Sequence, residues 1–217
     1  LLEVPEGTLG LRQSDALFQH VRQLPEQVEQ ACRALEGSVA GVGYSSRPRD
    51  LEDSYMPCFL AGECAARCIA AALGVSARAF SHQQGHLAAA AFSVGKPELL
   101  RQPFLAWHLS GGTTELLLVQ PDPRRILRAE ILGGSTDLSA GQIIDRVGVA
   151  LGLPFPAGPY VEQAALRSAS EEWFPVKVQD CRFSFSGVQN QYQKRMEAGE
   201  GPEDLCRFVL QTVARAI

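Results

Sequence analysis

The amino-acid sequence predicts a mixed α/β fold. Short apolar runs that predict strands and hairpins alternate with stretches of helical composition, and this alternation is typical of α/β proteins. Hydrophobic residues make up 46% of the 217 positions but aromatic residues only 7%, so we expect closely packed helices on a sheet. A chain of this length suits one large domain or two small lobes.

Helices and strands are expected to alternate in the first hundred residues. Pro25 is expected to open a second helix, because proline is favoured in the first turn of a helix. Gly74 is expected to end a later one, because glycine readily adopts the left-handed conformation at a helix end. The expected helices span residues 14–23, 26–35, 59–73 and 84–92, and the expected strands span 39–44 and 77–80.

The second half is expected to begin with a hairpin and to end in helices. The hairpin strands are predicted at 104–109 and 116–119, a further strand at 124–132 and a glycine loop at 133–137. Helices are expected at 138–151, 160–168, 188–196 and from 205 onward, with an extended segment at 174–185.

The hairpin loop is the first candidate for a binding site. Its residues are Ser110, Gly111, Gly112, Thr113 and Thr114. The two glycines let the backbone adopt positive φ and leave no Cβ in the way of a ligand. Successive N–H groups can point into one concavity, and the hydroxyls add donors, so the loop can form an anion nest for a phosphate. An ordinary Gly-Gly hairpin turn is the alternative.

Two histidines form the second candidate. His82 and His86 are four residues apart, which places both imidazoles on one face of a helix, where they could share a metal ion. Gln83 and Gln84 follow His82, where the HExxH pattern has its catalytic Glu directly after the first His, so metallopeptidase chemistry of that type lacks its base. Two polar histidines at a strand-to-helix junction are the alternative.

Three further sets of residues are candidates for functional or structural roles. Asp145, on the same predicted helix face as Gly141, could hold sugar hydroxyls or could belong to a solvated face. Ser186 is interpreted as a helix N-cap. Cys64 and Cys68 could bind a metal ion together, but are interpreted as buried core residues.

Charge and cysteine content limit the classes of protein. The net charge is −4, so any contact with nucleic acid must be local or shared with a partner. The six cysteines have no secreted-scaffold spacing, which predicts free thiols in a reducing, cytoplasmic compartment. No apolar run is long enough to span a membrane, so we expect no membrane association. Because the chain starts without Met and stops within an apolar-periodic helix, we expect further segments at both ends.

Four motifs in order resemble one family. They are His82-x-x-Gly85-His86, Ser110-Gly-Gly-x-Thr114, the segment 137–159 and Phe183-Ser-Phe-Ser-Gly187. This arrangement resembles the TsaD family, also called the glycoprotease or O-sialoglycoprotein endopeptidase family, over roughly residues 20–217. Members have the two-lobed actin/Hsp70-like ATPase fold, which is ribonuclease H-like, and transfer a threonylcarbamoyl group from its adenylate to adenosine 37 of tRNA.

The resemblance implies roles for particular residues. His82 and His86 match the histidines that hold a divalent metal, Fe or Zn, and residues 110–112 match a phosphate-binding hairpin. Asp145 and Gly158 match positions that hold the nucleoside of an adenine nucleotide or acyl-adenylate. The resemblance also implies two lobes, at 1–102 with the histidine motif and at 103–217 with the hairpin. The implied partners are tRNA, within a complex, and a TsaB-like homologous subunit or a second copy of the chain.

The sequence departs from the family pattern at several positions. Gln84 replaces an acidic residue of the family, Gln142 replaces Glu and Gln189 replaces Lys. Thr113 replaces His or Asn, and the paired aspartates of the family become Asp137-Leu138. We therefore predict a divergent paralogue. A non-catalytic partner subunit of the same fold and a metallo-glycoprotease are the alternative functions.

Overall fold

The computed structural model describes residues 2–4 and 11–217. The chain separates into two compact units, which are described one at a time. The first comprises Leu1–Phe104 and Val119–Ala129, and the second comprises Leu105–Leu118 and Glu130–Ile217. Helices and strands alternate as expected for an α/β fold.

The first unit is built around a parallel pair of strands. In chain order its elements are α1 (Gln13–Arg33), β1 (Gly41–Arg47), α2 (Phe59–Leu73), β2 (Ser76–Ser81), α3 (His82–Ser93) and a short 3-10 helix (Pro97–Arg101). β1 and β2 pair in register from Gly41 opposite Ser76 to Tyr44 opposite Ala79, and α2 connects them. The helix α2 ends at Gly74, whose φ of 67° is left-handed, as the sequence predicts.

The later strands form a four-stranded sheet, and four helices lie after β5 in the chain. The strands β3 (Phe104–Leu109), β4 (Thr114–Asp122), β5 (Ile126–Ser135) and β6 (Arg182–Phe183) lie in that order. The short β6 is parallel to β5, with Gly134 opposite Arg182. The helices are α4 (Ala140–Ala150), α5 (Gly158–Ala165), α6 (Ser186–Glu197) and α7 (Pro202–Ala216).

The core of the second unit lies among these four helices. Val147 of α4, Val161 of α5, Val188 of α6 and Val209 of α7 are all fully buried. The helix α4 packs so closely against Ala157 that position 148 requires glycine, because a Cβ there would lie 2.2 Å from the Ala157 Cβ.

Pro25 does not separate two helices, contrary to the prediction. It lies inside the continuous α1. A proline inside a helix removes one N–H donor and its ring crowds the carbonyl four residues earlier, but the residues after it are mostly strong helix formers. Glu29 and Arg33, four residues apart, form an ion pair on the exposed face. The helix therefore continues to Arg33.

Gly133 and Gly134 belong to a strand and not to the predicted loop. Gly134 donates its N–H to the Cys181 carbonyl oxygen over 2.8 Å. A Cβ at Gly133 would lie 2.1 Å from that same oxygen. These glycines therefore admit the turn at Asp180 and Cys181, whose φ values are 50° and 58°. That turn also ends the predicted extension at 174–185, of which only Arg182–Phe183 is a strand.

Candidate functional site

The hairpin loop between β3 and β4 leaves an open face. Ser110 donates its N–H to the Thr113 carbonyl over 2.9 Å, and its Oγ accepts the Gly112 N–H at 3.3 Å. Neither Gly111 nor Gly112 has the positive φ that the sequence suggested. A Cβ on either glycine would meet nothing within 4 Å. The glycines therefore leave space above the loop.

The first turn of α4 rests against this loop. A Cβ at Gly141 would lie 2.6 Å from the Gly111 Cα and 2.7 Å from the Ser110 carbonyl oxygen. Ser139, the N-cap of α4, donates its hydroxyl to the Gly111 carbonyl oxygen over 2.8 Å. The positive end of a helix dipole thus lies beside the loop, an arrangement that favours an anion.

Two backbone amides of the loop are not used by the hairpin itself. Within residues 2–4 and 11–217, the N–H groups of Gly111 and Thr113 donate to no protein acceptor. Both Gly111 and Gly112 are exposed and Thr113 is half-buried. Thr114 is different, because it is buried and its Oγ1 accepts the Ala140 N–H at 2.7 Å. The Thr114 side chain therefore anchors α4 to β4 and does not face the open side of the loop.

Asp145 and Gly158 are brought together in the second unit. An Asp145 carboxylate oxygen accepts the N–H of Ala157, the residue before Gly158, at 2.8 Å. Asp145 follows Gly141 by four residues on α4, so both lie on the same helix face. A Cβ at Gly158 would meet nothing within 4 Å. The hairpin loop, this face of α4 and the start of α5 therefore lie together in the second unit.

The carboxylate of Asp137 accepts hydrogen bonds that no local sequence pattern predicts. Its carboxylate accepts hydrogen bonds from the Ser184 hydroxyl at 2.5 Å and from the N–H groups of Leu138, Phe185 and Ser186 at 2.6, 2.8 and 3.1 Å. The interpretation of Ser186 as an N-cap is wrong, because Ser186 is already helical and Phe185 precedes it as the cap. Asp137, which is distant in sequence, instead accepts the N–H groups at the start of α6 and caps that helix.

The pKa of Asp137 is lowered well below its usual value. Burial acts in the opposite direction and raises the pKa, but the hydrogen bonds from Ser184, Phe185, Leu138 and Ser186 outweigh it. Donors that stabilise the ionised form lower a carboxyl pKa. Asp137 is therefore a charged link between the loop after β5 and the start of α6.

His82 and His86 face each other in the first unit. Their Nε2 atoms are 2.9 Å apart and both side chains are exposed. Two nitrogens bound at about 2.0–2.1 Å to one ion stand about 3.0–3.4 Å apart, so a small opening of the pair would admit a metal. Among the described residues, no group of three or more His, Cys, Asp or Glu is placed to hold an ion. The two imidazoles could therefore supply two ligands of a metal site.

Gln84 holds this histidine-bearing turn in place. Its side-chain oxygen accepts the Ser81 N–H at 2.7 Å, and its own N–H donates to the Ser81 hydroxyl at 3.2 Å. Its amide nitrogen donates to the Leu127 carbonyl oxygen over 2.8 Å. The first two bonds form a capping box, a signal that Ser81-x-x-Gln84 carried in the sequence.

Comparison with known proteins identifies the family. Residues 16–217 match the family model described as "TsaD: tRNA N6-adenosine threonylcarbamoyltransferase". The chain belongs to the TsaD family. Its fold is therefore the actin/Hsp70-like α/β fold of that family.

Relatives of the chain carry names of the same kind. A tRNA N6-adenosine threonylcarbamoyltransferase of Thermus thermophilus is 36% identical over 191 residues, which cover 83% of this chain and 54% of the relative. One of Methanopyrus kandleri is 28% identical, over 96% of this chain and 58% of the relative. A probable bifunctional tRNA threonylcarbamoyladenosine biosynthesis protein of Methanothermobacter thermautotrophicus is 26% identical, over 94% of this chain and 36% of the relative. The chain thus spans between about a third and three-fifths of these relatives.

The glutamines that depart from the TsaD pattern have structural partners. Gln84 is buried and donates to a carbonyl, which a carboxylate could not do. Gln142 completes the capping box of α4 with Ser139. Gln189 accepts a hydrogen bond from Arg146 at 2.6 Å. All three side chains therefore contribute to local structure at the helices that carry the candidate site residues.

The cysteines differ from one expectation. Cys64 and Cys68 are exposed, so their interpretation as core residues is wrong. The small residues of α2 that are buried are Ala61, Ala66 and Ala70. The six cysteines all lie in the described part of the chain, and each is a free thiol. In that part of the chain, no helix has the length and apolarity needed to cross a membrane.

Proposed function

We propose that the protein transfers a threonylcarbamoyl group from its adenylate to adenosine 37 of tRNA, as a divergent TsaD. In this reaction the exocyclic nitrogen of adenosine attacks the carbamoyl carbonyl carbon and forms a C–N bond. The bond from that carbon to the phosphate oxygen breaks, AMP leaves with the electron pair, and the nitrogen releases a proton. The names of the relatives support this reaction class.

The contact between Gly141 and Gly111 is the observation that carries the nucleotide part of the proposal. It seats the positive end of α4 beside the Gly111 and Thr113 N–H groups, and we assign the adenylate phosphate to these donors. Asp145, whose other carboxylate oxygen is not used by the Ala157 N–H, is suited to accept hydrogen bonds from the ribose hydroxyls. The open space at Gly158 suits a flat base.

The histidine pair supports a metal-dependent reaction. His82 and His86 present their nitrogens to one point, and neutral imidazole nitrogens bind Fe and Zn well. A bound divalent metal supplies a Lewis acid that can polarise a carbonyl oxygen. The Ser81 and Gln84 capping box fixes the turn on which both imidazoles stand.

The assembly around this site is also part of the proposal. We propose that the functional complex also contains tRNA and either a TsaB-like subunit or a second copy of the chain. The alternative of a metallo-glycoprotease has no support in the first unit, since Gln83 and Gln84 are amides and cannot act as a base.

Calorimetric titration with AMP tests the nucleotide part directly. Gly111→Val places a branched side chain in open space, so the loop can still fold while its amide is covered. We expect this variant to lose AMP binding. Gly62→Val, at another open glycine position on α2 of the first unit, is the matched control and should bind AMP like the unaltered protein. Equal AMP affinity in the two variants would contradict the assignment of the phosphate to this loop.

A further inference from the structure

The hairpin between β4 and β5 ends in a basic tip within the first unit. The tip comprises Arg124, Arg125, Ile126 and Arg128, all exposed. An Asp122 carboxylate oxygen accepts the backbone N–H groups of Arg124 and Arg125, both at 2.8 Å. This turn is therefore fixed by its own backbone. The three arginine side chains lie on the surface, where Arg125 pairs with Asp50 and Arg128 donates to the Gln120 side-chain oxygen over 2.8 Å.

The conformation of Ile126 is unusual. Its φ is 70°, which a β-branched residue rarely adopts, and its side chain is 51% exposed. Leu127 donates its N–H to the Arg125 carbonyl over 2.8 Å and thereby closes a tight turn around Ile126. The strained backbone thus presents an apolar side chain outward among arginines, and strained residues often mark binding surfaces.

The tip is fixed to the turn that carries the histidine pair. The Leu127 carbonyl accepts the Gln84 amide, and Gln84 lies between His82 and His86. On the other side, Asp50 accepts hydrogen bonds from both Arg47 and Arg125. Exposed Glu52 and Asp53 follow Asp50 on that loop.

Arginines with an exposed apolar residue are suited to RNA. Guanidinium groups pair with phosphates and supply salt-dependent affinity, and exposed side chains between them can contact unstacked bases. We propose that the tip binds the backbone of the acceptor RNA and that Ile126 contacts a base beside the histidine pair. This inference rests on the proposed function, because it assigns a surface to the acceptor of that reaction.

Fluorescence anisotropy with an unmodified tRNA transcript tests the surface. The test variant is Arg124→Ala/Arg125→Ala/Arg128→Ala, and the charge-matched control is Arg22→Ala/Arg33→Ala/Arg67→Ala, which alters exposed arginines of α1 and α2. We expect the tip variant to bind about tenfold more weakly and the slope of log affinity against log salt to fall by about two to three units. The control should bind like the unaltered protein.

A single substitution separates the role of Ile126 from the charges. Ile126→Gly removes the backbone strain, so we expect a higher unfolding temperature together with weaker RNA binding. Unchanged RNA affinity in this variant would overturn the base contact.

Three outcomes would overturn the surface as a whole. They are equal RNA binding by tip variant and control, an equal loss in both, or tip-dependent binding of polyaspartate without binding of RNA, which would indicate an acidic protein partner. Metal and AMP binding, measured on the same variants, distinguish this failure from a failure of the proposed function. AMP and metal binding without RNA binding would reject only the surface, whereas tip-dependent RNA binding without AMP or metal binding would reject only the proposed reaction.

Discussion

Ser184 donates its hydroxyl to the Asp137 carboxylate over 2.5 Å, and this bond joins the loop after β5 to the start of α6. The same carboxylate accepts the Phe185 and Ser186 N–H groups at the beginning of that helix. Hydrogen bonds to an ionised group are stronger than those between neutral groups. The charge on Asp137 therefore stabilises the second unit.

Asp137→Asn should destabilise the protein by about 1–2 kcal/mol, the typical cost of losing a helix cap. The amide nitrogen would face N–H donors that the carboxylate now accepts. Urea unfolding at neutral pH measures the effect. Asp180→Asn is the control, since Asp180 is exposed in a turn with positive φ that Asn tolerates. A loss in the control as large as in the test variant would refute the capping role.

The stability contributed by Asp137 should depend on pH in a defined direction. Its folded pKa lies below the unfolded value of about 3.9. The contribution is therefore fully present above about pH 4 and is lost as the pH falls toward the lower folded pKa. Unfolding free energies between about pH 5 and 2 should fall less steeply in Asp137→Asn than in the unaltered protein. Parallel curves would show that this carboxyl does not contribute.

Gln84→Glu should destabilise the first unit by about 1–3 kcal/mol, because a carboxylate would face the Leu127 carbonyl in a buried place. Burial would raise the folded pKa of this Glu above the unfolded one. The lost stability should therefore return as the pH falls, when a protonated carboxyl can donate to Leu127. Thermal unfolding across pH measures this recovery.

Gln142→Glu is the matched control, because Gln142 completes a capping box but is exposed. Glutamate serves equally well in that motif, so its stability should be unchanged. If both variants had the same stability at every pH, the hydrogen bond from Gln84 to the Leu127 carbonyl would not contribute measurably to stability.

Gly141→Ala should weaken AMP binding and lower stability by about 1–3 kcal/mol, since the added methyl would overlap the backbone of Gly111 and Ser110. Gly62→Ala, in α2 with open space around it, should instead raise stability by about 0.5–1 kcal/mol through helix propensity. Thermal unfolding and AMP calorimetry on both variants make the comparison. Full AMP binding by Gly141→Ala would mean that the helix and loop need not touch.

His82→Ala should abolish stoichiometric Fe or Zn, because one remaining imidazole holds an ion poorly. His20→Gln is the control, since His20 lies on α1 and has no part in the pair. Elemental analysis of the purified proteins gives the readout. Retention of metal by His82→Ala, or its equal loss from both variants, would speak against the histidine pair.

Local patterns in the sequence predicted much of the fold. The predicted bounds of α2 and its end at Gly74 agree with the structure, because an Ala-rich helical composition is followed there by a glycine that ends the helix. The hairpin around residues 110–113 was confirmed for the same reason. The continuity of α1 through Pro25 and the strand character of Gly133 and Gly134 were missed, since each depends on neighbours that a local pattern does not specify.

The candidate site was predictable to a different extent. The spacing of His82 and His86 placed them correctly on one helix face. The role of Asp137 could not be found, because its donors Ser184, Phe185 and Ser186 lie nearly fifty residues later in the chain. The role of Gly141 depends likewise on a loop thirty residues earlier. Only Gln84 and Gln142 left a readable signal, the Ser-x-x-Gln capping pattern.

The central claim is that the loop of residues 110–113 and the first turn of α4 hold the phosphate of an adenine nucleotide. Amide chemical shifts of ¹⁵N-labelled protein during titration with AMP test it most directly. We predict the largest shifts at Gly111, Thr113 and Gly141, saturating together with the Asp145 amide. Shifts confined to other residues, or none at saturating AMP, would contradict the account.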